Sequence, residues 1–253
     1  MQLLYLEPDK AFPSLGQAMG PQDPVPGLLC AGADLSVPRL LDAYRQGIFP
    51  WFSEGQPILW WSPDPRMVLP VQDFRLHRSM RKTLQSWIAD GRHEIRIDHD
   101  FATVIRACSE TRRRHQRGTW IVPEMVDAYL ELHRAGHAHS VETWCDGELM
   151  GGLYLVNIGR MVFGESMFSR STDASKFALC ALIAFARSHD IPLIDCQQNT
   201  GHLASLGARE IPRSQFIDHV QTRTSQPSPR WAFSPQNWAC LLSPADAGSR
   251  NFS

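Results

Sequence analysis

The run HSVETWCDGELMGGLYLVNIGRMVFGESMFS, residues 139–169, decides the fold. HSVETWC alternates with period two, Asp146-Gly147 is a strong hairpin turn, and ELMGGLYLVN returns as a second strand. A second turn at Ile158-Gly159 leads into RMVFGESMFS, giving a meander. After it, DASKFALCALIAFARSH (173–189) is a helix whose apolar face covers much of its circumference. PLIDCQ (192–197) is a short buried strand, and HLASLGA (202–208) is a short helix ending at Gly207. Meander, buried helix, strand and helix make an α+β core.

Working back from this core, Pro123 to Ala135, Phe101 to Ser109 and His77 to Gly91 read as helices, and Ile95-Arg-Ile97 alternates like a strand. The first seventy residues are dense in proline and tryptophan. LLDAYRQGIFPWF (40–52) holds one helix stopped by Gly47, with Ser36 as its expected cap and Pro38 in its first turn. ILWWSPDPR (58–66) is too proline-rich for a central strand, so this part is expected to be a small, loop-rich subdomain. The expected division is 1–66, 67–240 and a frayed tail at 241–253.

Composition narrows the function. A hydrophobic fraction of 43% and a charged fraction of 20% suit a chain that buries a core, and a net charge of -1 excludes a wholesale polycation. No apolar run approaches the roughly 20 residues of a membrane helix, and MQLLYLEPDK carries no leader features, so no export is expected. The six cysteines form no CxxC pair and are expected to be reduced thiols; Cys180 and Cys196 read as small buried hydrophobes. His137 and His139 share a strand face but lack a third ligand nearby, so ordinary hydrogen bonding is expected there. Neither a G-x-S-x-G elbow nor a phosphate-cradling glycine loop is present.

Two carboxylates stand out. Glu165 follows Phe163-Gly164 at the end of a buried strand, and Asp195 closes another, with Gln197 two residues on and on the same face. A lone Asp there is ordinarily a cap or turn residue. Together these segments would gather carboxylates, amides and apolar groups around one cleft, where burial perturbs basicity. Arg78, Arg81 and Lys82 give one helix a basic face, by default a solvated one. Trp51, Trp60, Trp61 and Trp120, in loop contexts, add the planes on which an unpaired nucleotide end stacks.

GIFPWFSEGQPILWWSPDPR (47–66), GTW (118–120), GHAHSVETW (136–144), FGESMFS (163–169), ASK (174–176), LIDCQ (193–197) and HLASLGA resemble the bacterial leucyl/phenylalanyl-tRNA–protein transferases, in family order. The resemblance spans about Gly32 to about Phe233. It implies a small N-terminal domain joined to a GNAT-like acyltransferase domain. It also implies a cytoplasmic, monomeric aminoacyltransferase that needs no cofactor or metal. Such an enzyme takes Leu or Phe, and by expectation Met, from Leu-tRNA or Phe-tRNA. It transfers the residue to proteins with N-terminal Arg or Lys, marking them for N-degron (N-end rule) proteolysis.

By the same resemblance, Asp195 is the proton acceptor or polarising carboxylate, and Gln197 positions the amine. Glu165 pairs with the peptide's cationic end or is structural. Trp51 and Trp120 flank the terminal adenosine or aminoacyl group. Leu153, Met167, Ser169 and Leu182 belong to the aminoacyl and adenosine site, and Arg78, Arg81 and Lys82 contact acceptor-stem phosphates. Leu153, Leu182 and Ala186 depart from the bulkier residues expected in the family. The run RRRHQR (112–117) extends the tRNA surface or is a solvated loop. An acetyl-CoA enzyme would need a glycine loop after the meander, which SMFSRSTDASK (166–176) lacks. A mere RNA-binding module leaves Asp195 and Gln197 without a task.

Overall fold

The computed structural model describes residues 3–111 and 121–243. Four short strands come first: β1 (Tyr5–Leu6), β2 (Leu28–Gly32), β3 (Phe49–Pro50) and β4 (Leu59–Trp61), with α1 (Val37–Arg45) between β2 and β3. They form a sheet of order β1-β2-β4-β3. The stretch Ile58–Arg66 therefore corrects the sequence expectation. Trp60 and Trp61 sit in an interior strand, Trp60 fully buried, because Pro63 and Pro65 fall in the connection that follows. The expected cap at Ser36 also differs: its side chain makes no capping bond, and its own N–H donates to Asp34 Oδ1.

The second sheet takes β5 (Arg66–Pro70), β6 (His93–Ile97), β7 (Ala138–Cys145), β8 (Glu148–Ile158), β9 (Met161–Ser169), β10 (Leu193–Gln197) and β11 (Arg209–Ile211), in the order β11-β5-β10-β9-β8-β7-β6. The meander β7-β8-β9 is antiparallel, turning at Asp146-Gly147, both at positive φ as a tight mirror-image turn requires. The α-helices that pack on this sheet include α2 (Arg78–Ala89), α3 (Phe101–Glu110), α4 (Pro123–Arg134) and α5 (Ala174–Ser188). After β10 come α6 (Gly201–Ser205), α7 (Arg213–Thr224) and α8 (Ala239–Leu242).

Two apolar clusters flank the sheet. One joins the first sheet, α1, α3 and α4 to Tyr154, Val156 and Phe163. The other joins α5 to Leu153, Leu155, Val162 and Ile194. Residues 177–186 of α5 are buried throughout, as its near-continuous apolar sequence requires.

Strands β9 and β10 are parallel neighbours in an otherwise antiparallel sheet. They pair at Val162 with Ile194 and at Phe163 with Asp195, and then part. At that point a Cβ on Gly164 would lie 3.3 Å from the Asp195 carbonyl, so a side chain there would crowd the junction.

Candidate active site

Backbone irregularities aim the polar groups. In β9, Gly164 pairs with Leu155 and Ser166 with Tyr154, so Glu165 is the extra residue of a bulge in mid-strand. The sequence alone places it at a strand end, so this is a correction. In β10, Asp195 pairs with Val68 and Gln197 with Met67, leaving Cys196 extra and Gln197 at φ +62°. Simple alternation therefore does not place Gln197; a left-handed turn of the backbone does.

A cavity of about 290 Å³ lies where the strands part, bordered by Gly164 to Met167 on one side and Asp195 to Gln198 on the other. Phe49, Trp51 and Tyr154 belong to the packing on one face of the sheet, whereas Leu69, Leu153, Leu179 and Leu182 come from the other. The cavity thus passes through the sheet. Its α5 side is apolar, and on the other side Glu165 and Gln197 set polar groups beside Phe49 and Trp51.

Glu165 is half-buried on the side opposite α5. Tyr44 of α1 donates to Oε1 at 2.7 Å, Gln197 Nε2 donates to the same oxygen at 3.0 Å, and Tyr129 of α4 donates to Oε2 at 3.4 Å. The two phenolic oxygens are also in hydrogen-bond contact, so the single Tyr129 proton is shared between Tyr44 Oη and the longer Glu165 contact. Burial pushes the Glu165 carboxyl up to about 7; the bonds from Tyr44 and Gln197 pull it down without cancelling that cost. Burial and the nearby carboxylate raise both tyrosines well above their usual value, so they remain protonated donors.

Asp195 is fully enclosed. Arg66 clamps it with Nε to Oδ1 at 2.8 Å and Nη2 to Oδ2 at 2.6 Å. The Gln197 N–H donates to Oδ1 at 2.9 Å.

Of the expected site residues, Trp51, Leu153, Glu165, Met167, Leu182, Asp195 and Gln197 all border the cavity. Ser169 lies outside the lining; its hydroxyl donates to the Ser171 carbonyl and accepts from Ser175 N–H. Ala186 is buried in α5, away from the lining. Trp120 and residues 112–117 fall outside the described residues. Arg78 and Lys82 are exposed on α2, while Arg81 donates to the Leu242 carbonyl at 3.0 Å. His139 Nδ1 lies 2.6 Å from Asp98 Oδ2, and its ring stacks on Trp231. Among the described residues no three His, Cys, Asp or Glu side chains group as metal ligands.

Sequence reasoning passed over Tyr44, Tyr129 and Arg66. The tyrosines sit on apolar helix faces, where they resemble any core tyrosine. Arg66 was visible only as the last letter of WWSPDPR.

The family described as leucyl/phenylalanyl-tRNA protein transferase matches residues 68–221, and its N-terminal domain matches residues 33–64. A leucyl/phenylalanyl-tRNA–protein transferase from Polaromonas sp. (strain JS666) is 58% identical over 94% of this chain and 93% of that protein. The one from Leptothrix cholodnii is 60% identical over 91% of this chain and 90% of that protein. The one from Burkholderia vietnamiensis is 54% identical over 97% of this chain and 96% of its own. Among solved structures, that of L-PGS from Bacillus licheniformis covers 65% of this chain and 54% of that one at 11% identity. Its TM-score of 0.36 is too low to bear on function.

Proposed function

The chain belongs to the leucyl/phenylalanyl-tRNA–protein transferase family, enzymes of tRNA-dependent aminoacyl transfer to proteins, and on that premise we propose its substrates and residue roles. It takes Leu, Phe and Met from aminoacyl-tRNA and joins them to the α-amine of proteins beginning with Arg or Lys, marking these for N-degron proteolysis. The observation that carries this reading is the two-sided cavity. Leu153, Met167, Leu179 and Leu182 offer an apolar bed to an aliphatic or aromatic side chain unbranched at Cβ, while Glu165 waits on the opposite side for a cation. An apolar bed separates such side chains by only about 1–3 kcal/mol per methylene, which suits a donor set of Leu, Phe and Met.

The aminoacyl ester is already activated. The amine nitrogen bonds to the carbonyl carbon, the ester C–O bond breaks, and the ribose oxygen leaves as a hydroxyl. An α-ammonium with a pKa near 8 must first shed a proton, and a second N–H proton goes to the leaving oxygen. Glu165, titrating at about 7, is suited to receive the first proton and to pair with the incoming cation. The Gln197 side chain, bonded to Glu165, positions the amine. Of the two roles open to Asp195, its enclosure by Arg66 favours the polarising one over the accepting of protons. Trp51 stacks the terminal adenosine, with Trp120 and Ser169 as further candidates for that site. Arg78 and Lys82 meet acceptor-stem phosphates, whereas Arg81, the third residue of that basic face, donates to the Leu242 carbonyl.

The domain division at 66/67 and a GNAT-like description of the second part belong to the same proposal. They are supported by a first sheet drawn from residues 5–61 and by the parted parallel pair β9-β10. A cytoplasmic monomer is likewise proposed; no helix among the described residues is long and apolar enough to cross a membrane. The test is incubation with labelled Leu-tRNA and an Arg-initiated peptide without ATP. Label entering the peptide supports the reading, and tRNA retention without turnover overturns it.

A further inference from the structure

Arg66 occupies an unusual position for a cation. Its side chain is 1% exposed and its partner Asp195 0%. The guanidinium lies between the rings of Phe49 and Phe216, at 4.7 and 4.6 Å from their centroids, and Nη1 donates to the Gly47 carbonyl at 3.2 Å. Every side of the group is occupied, so it has no room for a phosphate or a carboxylate from a substrate. What it does hold is Asp195, through two parallel bonds, and Asp195 in turn accepts the Gln197 N–H. Gln197 stands at φ +62°, a conformation a side chain of its size adopts only when its surroundings enforce it.

We infer that Arg66 is a positioning residue for aminoacyl transfer: by clamping Asp195 it fixes the left-handed Gln197 backbone that delivers the Gln197 side chain to Glu165. The inference rests on the transfer reading above and adds to it a residue that never touches substrate. The chain of contacts is continuous: Arg66 to Asp195 Oδ1, Oδ1 to Gln197 N–H, and Gln197 Nε2 to Glu165 Oε1 at 3.0 Å. A lysine at 66 would keep the charge but present one point of contact in place of a planar fork, so the Asp195 carboxylate would be free to rotate. Asp195 serves here as a strut, its carboxylate enclosed and held by Arg66.

The test compares Arg66→Lys, Arg66→Met and the pair Arg66→Met/Asp195→Leu with wild type in the labelled-peptide assay, alongside thermal melts. Arg66→Lys should melt close to wild type yet lose turnover by up to about 10²-fold, the loss that a misplacement of about 1 Å produces. Its KM for aminoacyl-tRNA should stay nearly unchanged. In Arg66→Met the acid limb of the pH profile should move upward, because the Arg66 charge and the Gln197 bond both favour ionised Glu165. The apolar pair removes both buried charges, which keeps the chain folded where Arg66→Met alone leaves Asp195 unpaired. It should be folded and slow. Wild-type turnover in Arg66→Lys or in the folded pair would overturn the inference, as would losses of turnover and tRNA affinity in equal proportion with an unmoved acid limb. A wild-type protein that moves no label to the peptide would instead defeat the transfer reading itself.

Discussion

Tyr44 in α1 donates a 2.7 Å hydrogen bond to Glu165 Oε1, 121 residues further along the chain. This bond ties the helix of the first sheet to the bulge of the second, and Tyr129 joins it from α4. The carboxylate is thus held by donors from three different elements, yet burial still keeps its proton affinity high.

Glu165→Gln should remove the acid limb near pH 7 from kcat/KM and lower kcat/KM for the peptide about 10²-fold, the scale of a lost proton acceptor. Affinity for aminoacyl-tRNA should hold. The measurement is a pH–rate series with a filter-binding control, and a surviving limb near 7 would assign the titration to another group.

The same substitution has a stability signature. Glu165 titrates at about 7 when folded against 4.5 for an unperturbed glutamate, so the folded state holds this proton more tightly. Its contribution to stability is full below about 4.5 and is lost as pH rises through 7. Melting of Glu165→Gln relative to wild type should therefore improve between pH 5 and pH 8. A difference that stays flat with pH would show that the carboxyl is not held in this environment.

Removing a donor should push the carboxyl further up. In Tyr44→Phe the acid limb should move above 7, so that activity falls more at pH 6.5 than at pH 8.5. Tyr129→Phe, which loses the longer 3.4 Å contact, should move it less. Equal losses at all pH values in both variants would reduce the phenols to packing.

On the apolar side, Leu182→Phe should cut transfer from Phe-tRNA more than from Leu-tRNA, on the order of tenfold in relative kcat/KM. Competition between the two charged tRNAs measures the ratio directly. An unchanged ratio would place the aminoacyl side chain elsewhere.

On α2 the three basic residues should separate. Arg78→Ala with Lys82→Ala should flatten the salt dependence of tRNA binding by about 0.9 or less per lost phosphate contact. Arg81→Ala should act chiefly on melting, because Arg81 holds the Leu242 carbonyl of α8. Identical salt slopes in the wild type and the double variant would remove α2 from the RNA interface.

The elements that carry their own local signal were legible in the sequence. Period-two alternation and the Asp146-Gly147 turn marked β7 and β8, and the unbroken apolar run marked α5. Glu165, Gln197 and Asp195 could be picked out as polar residues on apolar strands. Their arrangement could not, because a bulge adds one residue without changing composition: Gln197 does not obey the alternation that located it, and Glu165 lies in mid-strand, not at a strand end. Long-range partners were also silent. Arg66 and Asp195 are 129 residues apart, and an arginine gives no sign in sequence that it will be enclosed between two phenylalanines. At Ile58–Arg66 the prolines argue against a central strand only if they fall inside it, whereas Pro63 and Pro65 fall between β4 and β5.

A slot framed by main chain on both sides is set by the topology, and Gly164 is the position where an added side chain would press on it. Where β9 and β10 part, exchanges at Met167 or Leu182 would re-line the opening and leave its backbone frame in place.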